Sequence, residues 1–377
     1  MNLYLHFPFC QQRCFYCDFF TLNNQEHLIG EYCDTMAKEI LLYGQKLGHP
    51  TIETIYLGGG TPSVVDLENL TKVFESIRKS FQIKSGAEIS IESNPDSIDK
   101  EKLKGYLKIG INRLSMGVQA WQNDLLELIG RTYQIETVQK SYKLAREAGF
   151  KNISLDLMFA LPNQNKKQWL ESLIEVIKLQ PEHISCYSLE WDNNSIFGNH
   201  LRSGKIKAST DELDREMYAM ACEELEKADY KQYEISNFSR GGSFKCQHNS
   251  DFWHYRDYLG IGTGAESRMG DKTWQNKKSI KAYTKKINEG ELIADQLETL
   301  SREEQIAGYI SLALRTNAGL NLNDLLEKLA FDLEKERRAE LKKLVTENLI
   351  EQDNYSIKLS KKGKDLLNYI LLELKVF

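Results

Sequence analysis

Short runs of apolar and β-branched residues alternate with longer amphipathic stretches along the first half of the chain. Extended segments are predicted at 3–7, 54–57, 88–92, 113–118, 153–157 and 183–189, most of them bounded by Gly, Pro or Asn. Between them, apolar residues recur at helical spacing over 31–47, 66–81, 99–109, 135–148 and 167–179. Strands separated by helices predict βα units around a parallel sheet, either an open doubly wound sheet or a barrel. Both architectures place their active sites at the C-terminal ends of the strands, so the polar residues found there are the first candidates for function.

From about residue 299 the pattern turns helical, with helices predicted at 303–314, 322–329 and 333–348, a hairpin-like stretch at 349–359 and a last helix at 361–374. That order suggests a winged-helix-like module. Such modules often read DNA, which makes a DNA-binding redox regulator a separate class to weigh. Residues 301–377 carry thirteen Lys/Arg against thirteen Asp/Glu, without the basic excess that phosphate contact requires. A domain that docks on or covers the barrel is the expectation, with no nucleic-acid partner. The stretch 272–295, rich in Lys, Asn and Glu, reads as an exposed connection.

Composition narrows the class. A chain of 377 residues, 41% hydrophobic and 27% charged, can bury a sizeable core and leaves no ground for disorder. A net charge of −5 offers no long-range attraction for nucleic acid or anionic lipid. Seven cysteines, an odd number with three closely spaced, suit a reducing compartment better than a disulfide framework. The first residues form no signal peptide and no apolar run would span a bilayer, so a cytoplasmic location is expected.

The three close cysteines, Cys10, Cys14 and Cys17, carry the strongest chemistry. A [4Fe–4S] cube normally takes four thiolates, so C-x3-C-x2-C would leave one iron open to an outside ligand, as catalytic metal sites keep a position free. A zinc site or unrelated free thiols are the alternatives; zinc usually wants paired C-x2-C or Cys/His units, and no second pair follows. Further candidates sit at the strand ends. Gly58-Gly59-Gly60-Thr61-Pro62 lets backbone approach a ligand closely, although such a turn is also an ordinary βα connection. Glu92 and Asp156 can accept hydrogen bonds from a diol, and Arg131 can pair with a ligand carboxylate, each against the plainer reading of a salt bridge or cap.

These residues belong to longer motifs: Tyr-x-His-x-Pro-Phe-Cys at 4–10, Gly-Gly-Gly-Thr-Pro-Ser at 58–63, Glu-Ser-Asn-Pro at 92–95 and Ser-Met-Gly-Val-Gln at 115–119. Tyr-Glu-Ile-Ser-Asn-Phe at 233–238, Cys-Gln-His-Asn at 246–249 and Gly-Ile-Gly-Thr-Gly-Ala at 260–265 follow. Together they resemble the branch of the radical S-adenosylmethionine (SAM) superfamily that holds oxygen-independent coproporphyrinogen III oxidase and its heme-chaperone paralogue. The resemblance runs from Tyr4 to about Ser267. It implies an incomplete parallel (β/α)6 radical SAM barrel over 1–230, a family-specific segment with linker over 231–298, and a C-terminal helical, winged-helix-like domain over 299–377.

By the same resemblance, Cys10, Cys14 and Cys17 would hold the cluster, with Tyr4 and Tyr16 beside it. Gly59, Gly60 and Thr61 would meet the methionine part of SAM, and Glu92, Gln119, Arg131 and Asp156 the rest of it; no catalytic residue is assigned. The oxidase usually carries a further cysteine two positions after the third cluster thiolate, where this chain has Phe19, and a long segment ahead of the cluster, where nine residues precede Cys10. Both departures favour the chaperone side. There, His248-Asn249-Ser250-Asp251-Phe252-Trp253 resembles a His-Asn-x-x-Tyr-Trp motif, with Phe252 in place of tyrosine. His248 is the expected heme ligand, Cys246 a second candidate, and Phe252, Trp253 and Tyr255 could shield the macrocycle, against the plainer reading of a structural histidine. The expected function is heme delivery to a hemoprotein, with a membrane-side acceptor; a homodimer is compatible with the resemblance. The alternative is radical decarboxylation of coproporphyrinogen III.

Overall fold

The computed structural model describes residues 1–292 and 295–376. Six strands, β1 (Asn2–Phe7), β2 (Thr51–Gly59), β3 (Gln82–Ser93), β4 (Arg113–Gln119), β5 (Ile153–Phe159) and β6 (His183–Ser188), lie side by side in sequence order, all parallel. A doubly wound sheet would reverse its order at a switch point. The unbroken order therefore settles the choice that the sequence pattern left open, in favour of an incomplete barrel.

Every second strand residue is apolar and packs outward under the helices: Leu3, Leu5 and Phe7, Ile55 and Leu57, Leu114, Met116 and Val118, Leu155 and Leu157 are all buried in one core. The residues between them are largely polar and face inward, with Tyr56, Glu92, Arg113, Ser115, Asp156 and Ser185 lining an interior cavity. The helices crossing between strands include α1 (Ile29–Leu47), α2 (Leu67–Ser80), α3 (Lys100–Ile109), α4 (Asn123–Leu128), α5 (Ile135–Ala148) and α6 (Lys166–Lys178). Three of these starts are fixed by side chains: Asp66 and Asp99 accept from the third helical N–H, and Asn165 with Gln168 forms a reciprocal capping box.

Both edges of the parallel row are extended. Beyond β6 run the antiparallel β7 (Tyr230–Gln232) and β8 (Asn237–Arg240). Beyond β1 lies β9 (Tyr258–Ile261), a seventh parallel strand that the hydrophobic pattern alone does not reveal, followed by antiparallel β10 (Glu266–Met269), β11 (Lys272–Gln275) and β12 (Asp295–Thr299). Helix α7 (Gln247–Trp253) leads into β9.

The stretch 272–295 is not the exposed connection its composition suggests. It supplies β11 and α8 (Ile280–Asn288), whose Tyr283 and Ile287 are buried. The reason is a buried acid on α1: Glu39 accepts from the Tyr283 hydroxyl at 2.7 Å, the Asn276 amide at 2.7 Å and the Gly262 N–H at 2.8 Å. Ile293 and Ala294 of that stretch, and Phe377 at the C-terminus, lie outside the described residues.

The C-terminal part has its own core, including Ile310, Leu325, Leu344, Ile357 and Ile370. Helices α9 (Arg302–Ala313), α10 (Leu322–Leu329) and α11 (Arg338–Thr346) pack with a three-stranded antiparallel sheet of β13 (Leu320–Asn321), β14 (Ile350–Gln352) and β15 (Ser356–Leu359), a winged-helix-like arrangement. The predicted helix over 333–348 is interrupted at Arg337, which leaves helical backbone at φ −132°. This part docks on the barrel through Asn317, which donates to the Gln232 carbonyl at 2.6 Å, and through Tyr309 against Tyr255 at 5.7 Å.

Candidate cofactor site

Cys10 ends a two-residue strand, Phe9–Cys10, just past β1, and Cys14 and Cys17 sit on the loop beyond it. That loop is held in place by backbone: the Phe15 N–H donates to the Ile129 carbonyl at the end of α4, and the Cys17 N–H to Cys14 at 3.2 Å. The glycine turn after β2 packs against the same stretch, with the Gly60 N–H on the Phe7 carbonyl at 2.7 Å and the Thr61 N–H on the Phe9 carbonyl at 2.8 Å. Side chains are excluded there. Gly59 has φ +108° and a β-carbon on it would lie 2.6 Å from the His6 ring; one on Gly60 would lie 2.8–2.9 Å from the backbone of Phe7, Pro8 and Phe9. Thr61 Oγ1 lies 3.5 Å from Cys10 Sγ. Burial pushes the Cys10 thiol up to about 11, and also raises Cys17.

Opposite the thiols, Arg131 donates to Asn94 Oδ1 at 2.8 Å and to the Tyr16 hydroxyl at 2.6 Å, while its Nε has no partner. Gln119 has φ +68°, next to a register shift between β4 and β5. The bulge turns its side chain into the cavity, where Oε1 has no partner. Glu92 accepts from the Tyr56 hydroxyl at 2.8 Å; burial, offset by that bond and aggravated by Asp156, raises it to about 7. Asp156, raised by burial too, accepts from Ser115 at 3.0 Å and Ser154 at 2.9 Å.

One cavity of about 820 Å³ is lined by Cys10, Cys14, Cys17, Tyr16, Gly59, Gly60, Thr61, Glu92, Gln119, Arg131 and Asp156. Of the residues singled out in the sequence, Tyr4, His248, Cys246, Phe252 and Tyr255 stand apart from this lining. Tyr4 lies behind the glycine turn, its hydroxyl 3.1 Å from His6 Nδ1. His248, on α7, has Nδ1 2.8 Å from Thr54 Oγ1 and its ring 5.1 Å from that of Tyr56; burial, and Arg113, lower it to about 4, so the imidazole is neutral. Cys246 is fully buried with its thiol 3.4 Å from Glu88, and burial raises it to about 12.

The three aromatics of this motif do not share a face. Trp253 lines the cavity, Tyr255 carries the Arg268 guanidinium on its ring at 3.6 Å, and Phe252 is 38% exposed. Asn94, Arg113, Glu234 and Asn237 also line the cavity. Asn94, Glu234 and Asn237 lie inside motifs legible in the sequence, whereas Arg113 carries no signal beyond its place at the start of a strand. Among the described residues, no three His, Cys, Asp or Glu side chains converge on a single-ion site. Thiolates that must each reach a different iron need no such convergence.

The Radical SAM superfamily matches residues 4–176, and the HemN C-terminal domain matches residues 300–366. Heme chaperone HemW of Bacillus subtilis is 36% identical over 370 residues, covering 98% of this chain and 97% of that protein. The chain belongs to the HemW family of radical SAM proteins. A second HemW, from Lactococcus lactis, is 30% identical and covers 98% of this chain and 96% of its own length. Among solved structures, coproporphyrinogen III oxidase HemN from Escherichia coli, a radical SAM enzyme, superposes with a TM-score of 0.86 at 25% identity, covering 99% of this chain and 89% of that one. No helix among the described residues is long and apolar enough to cross a membrane.

Proposed function

We propose that this chain is a heme chaperone that carries a [4Fe–4S] cluster and SAM and passes heme to hemoproteins. The observation that carries the reading is the end-to-end match with heme chaperones of the HemW family, at 98% of this chain. The site fits both cofactors. Cys10, Cys14 and Cys17 would hold the cluster, leaving one iron for the amino and carboxylate groups of SAM. The backbone of Gly59 and Gly60 lines the cavity beside the thiols, the unpartnered Gln119 Oε1 and Arg131 Nε await partners, and Glu92 and Asp156 suit ribose hydroxyls. The cluster would supply electron transfer to SAM when bound; the chain's own residues orient SAM and shield it from water.

For heme, His248 is the ligand we propose. With Nδ1 beside the Thr54 hydroxyl, Nε2 is the ring nitrogen left for iron. Tyr4 would back the cluster through His6. The barrel at 1–230, the segment at 231–298 and the domain at 299–377 would act as three units, the last covering the barrel or docking a hemoprotein, including one on the membrane side; the compartment is the cytoplasm, and a homodimer is part of the same proposal.

Hemin titration of the anaerobic, cluster-loaded protein tests the reading. A stable heme absorption band is expected, lost on His248→Ala. The likeness to HemN favours decarboxylation as a second reading, and formation of a vinyl-bearing product from coproporphyrinogen III with SAM and reductant would overturn the first.

A further inference from the structure

Arg113 opens β4, six residues before Gln119, so its backbone lies about 20 Å along the strand from the end that carries Gln119. It is 2% exposed and lines the interior cavity. Its Nε has no hydrogen-bond partner, although the nearby Glu88 carboxylate favours its charge. The nearby acids are already engaged. Glu88 accepts from the N–H groups of Gln247 at 3.0 Å and His248 at 3.2 Å, and Asp156 from Ser115 and Ser154. A buried guanidinium whose Nε hydrogen is unmet keeps a hydrogen-bonding demand that a ligand can answer. Three further atoms in the same cavity are also unpartnered: the acceptors Glu234 Oε1 and Asn237 Oδ1, on residues 1% and 8% exposed, and the donor Trp253 Nε1. None of these residues is among those that would meet the cluster or SAM.

The geometry points to a second binding compartment deep in the barrel, in which Arg113 takes the carboxylate of a small organic acid while Glu234 and Asn237 accept from an amino or hydroxyl group on the same molecule. Complementarity sets the class. The planar guanidinium fork matches a carboxylate in bidentate fashion, and two orphan acceptors demand a donor on the ligand. Glu92, Asp156 and Glu234 surround the compartment with acid groups, which disfavours a dianionic phosphate against a singly charged acid. The inference stands on the cavity itself and does not depend on heme binding.

The test uses anaerobic, cluster-loaded protein with L-lactate as probe, L-lactamide as its uncharged match and chloride to equalise ionic strength. Lactate is expected to raise the unfolding temperature of the wild type and lactamide not to. Arg113→Met should abolish the response, and Arg113→Lys, which keeps charge but loses the fork, should weaken binding about tenfold. A wild type indifferent to lactate, or an equal response to lactamide, overturns the proposal. So does an equal response in Arg113→Lys.

Discussion

Arg131 makes the most connections among the residues opposite the cysteines. Its two bonds, to Asn94 and to Tyr16, hold the guanidinium in a fixed plane between the rings of Tyr16 and Tyr133, at 5.9 and 5.7 Å. A lysine can replace the charge but neither the plane nor the two simultaneous bonds. Arg131→Lys is therefore expected to weaken SAM binding about tenfold, roughly 1.4 kcal/mol, with little change in overall stability. Titrating SAM against the cluster's absorption spectrum reads this directly; unchanged affinity would remove Arg131 from the site. At this scale the sequence is legible where residues fall inside a motif at a strand end, as Glu92, Gln119 and Asp156 do. It is silent where function depends on which atom is left unpartnered. Nothing in the sequence distinguishes Arg113 from a surface arginine, because its inward position follows from strand register and its unmet Nε from acceptors spent elsewhere.

At the scale of elements, the strand and helix alternation is readable because each strand puts apolar residues under the helices at every second position. The segment over 272–295 misleads for a physical reason. Most of its Lys and Glu are solvated, but Asn276 and Tyr283 turn inward to Glu39, a carboxyl on α1 more than two hundred residues earlier, a long-range bond that local composition cannot reveal. Burial raises Glu39 from 4.5 to about 7, with its three donors limiting the rise. The folded state thus holds a proton that the unfolded chain has released between those values, and stability should fall as pH rises through that window. The loss is on the order of 3 kcal/mol at most. Glu39→Gln removes this dependence, so urea unfolding of the two proteins at about pH 5 and about pH 8 should show the variant gaining on the wild type at the higher pH. A constant difference across that range would mean that Glu39 stays ionised in the folded protein.

For the whole molecule, two cores are joined by a narrow set of contacts. The C-terminal core is closed around Leu325, Leu344 and Ile370, and it touches the barrel where Thr316 and Asn317 meet Glu234, Tyr233 and Gln232. Leu325→Ala should destabilise the C-terminal domain by about 2–4 kcal/mol, while the cluster absorption at low temperature is unchanged; calorimetry and absorption on one sample separate the two. Simultaneous loss of cluster and domain would show that the cores are not separable. The barrel, the cysteine loop and the winged-helix-like end were all accessible from the hydrophobic pattern and the motifs. Strand β9 and the inward turn of Asn249 and Trp253 were not, since both depend on tertiary pairing. The central claim is that Cys10, Cys14 and Cys17 hold an iron–sulfur cube with one iron open to SAM. Electron paramagnetic resonance of anaerobically reconstituted, reduced protein, recorded with and without SAM, tests it most directly. A [4Fe–4S] signal that changes when SAM is added is expected; no cluster signal, or one that SAM leaves unaltered, would contradict the account.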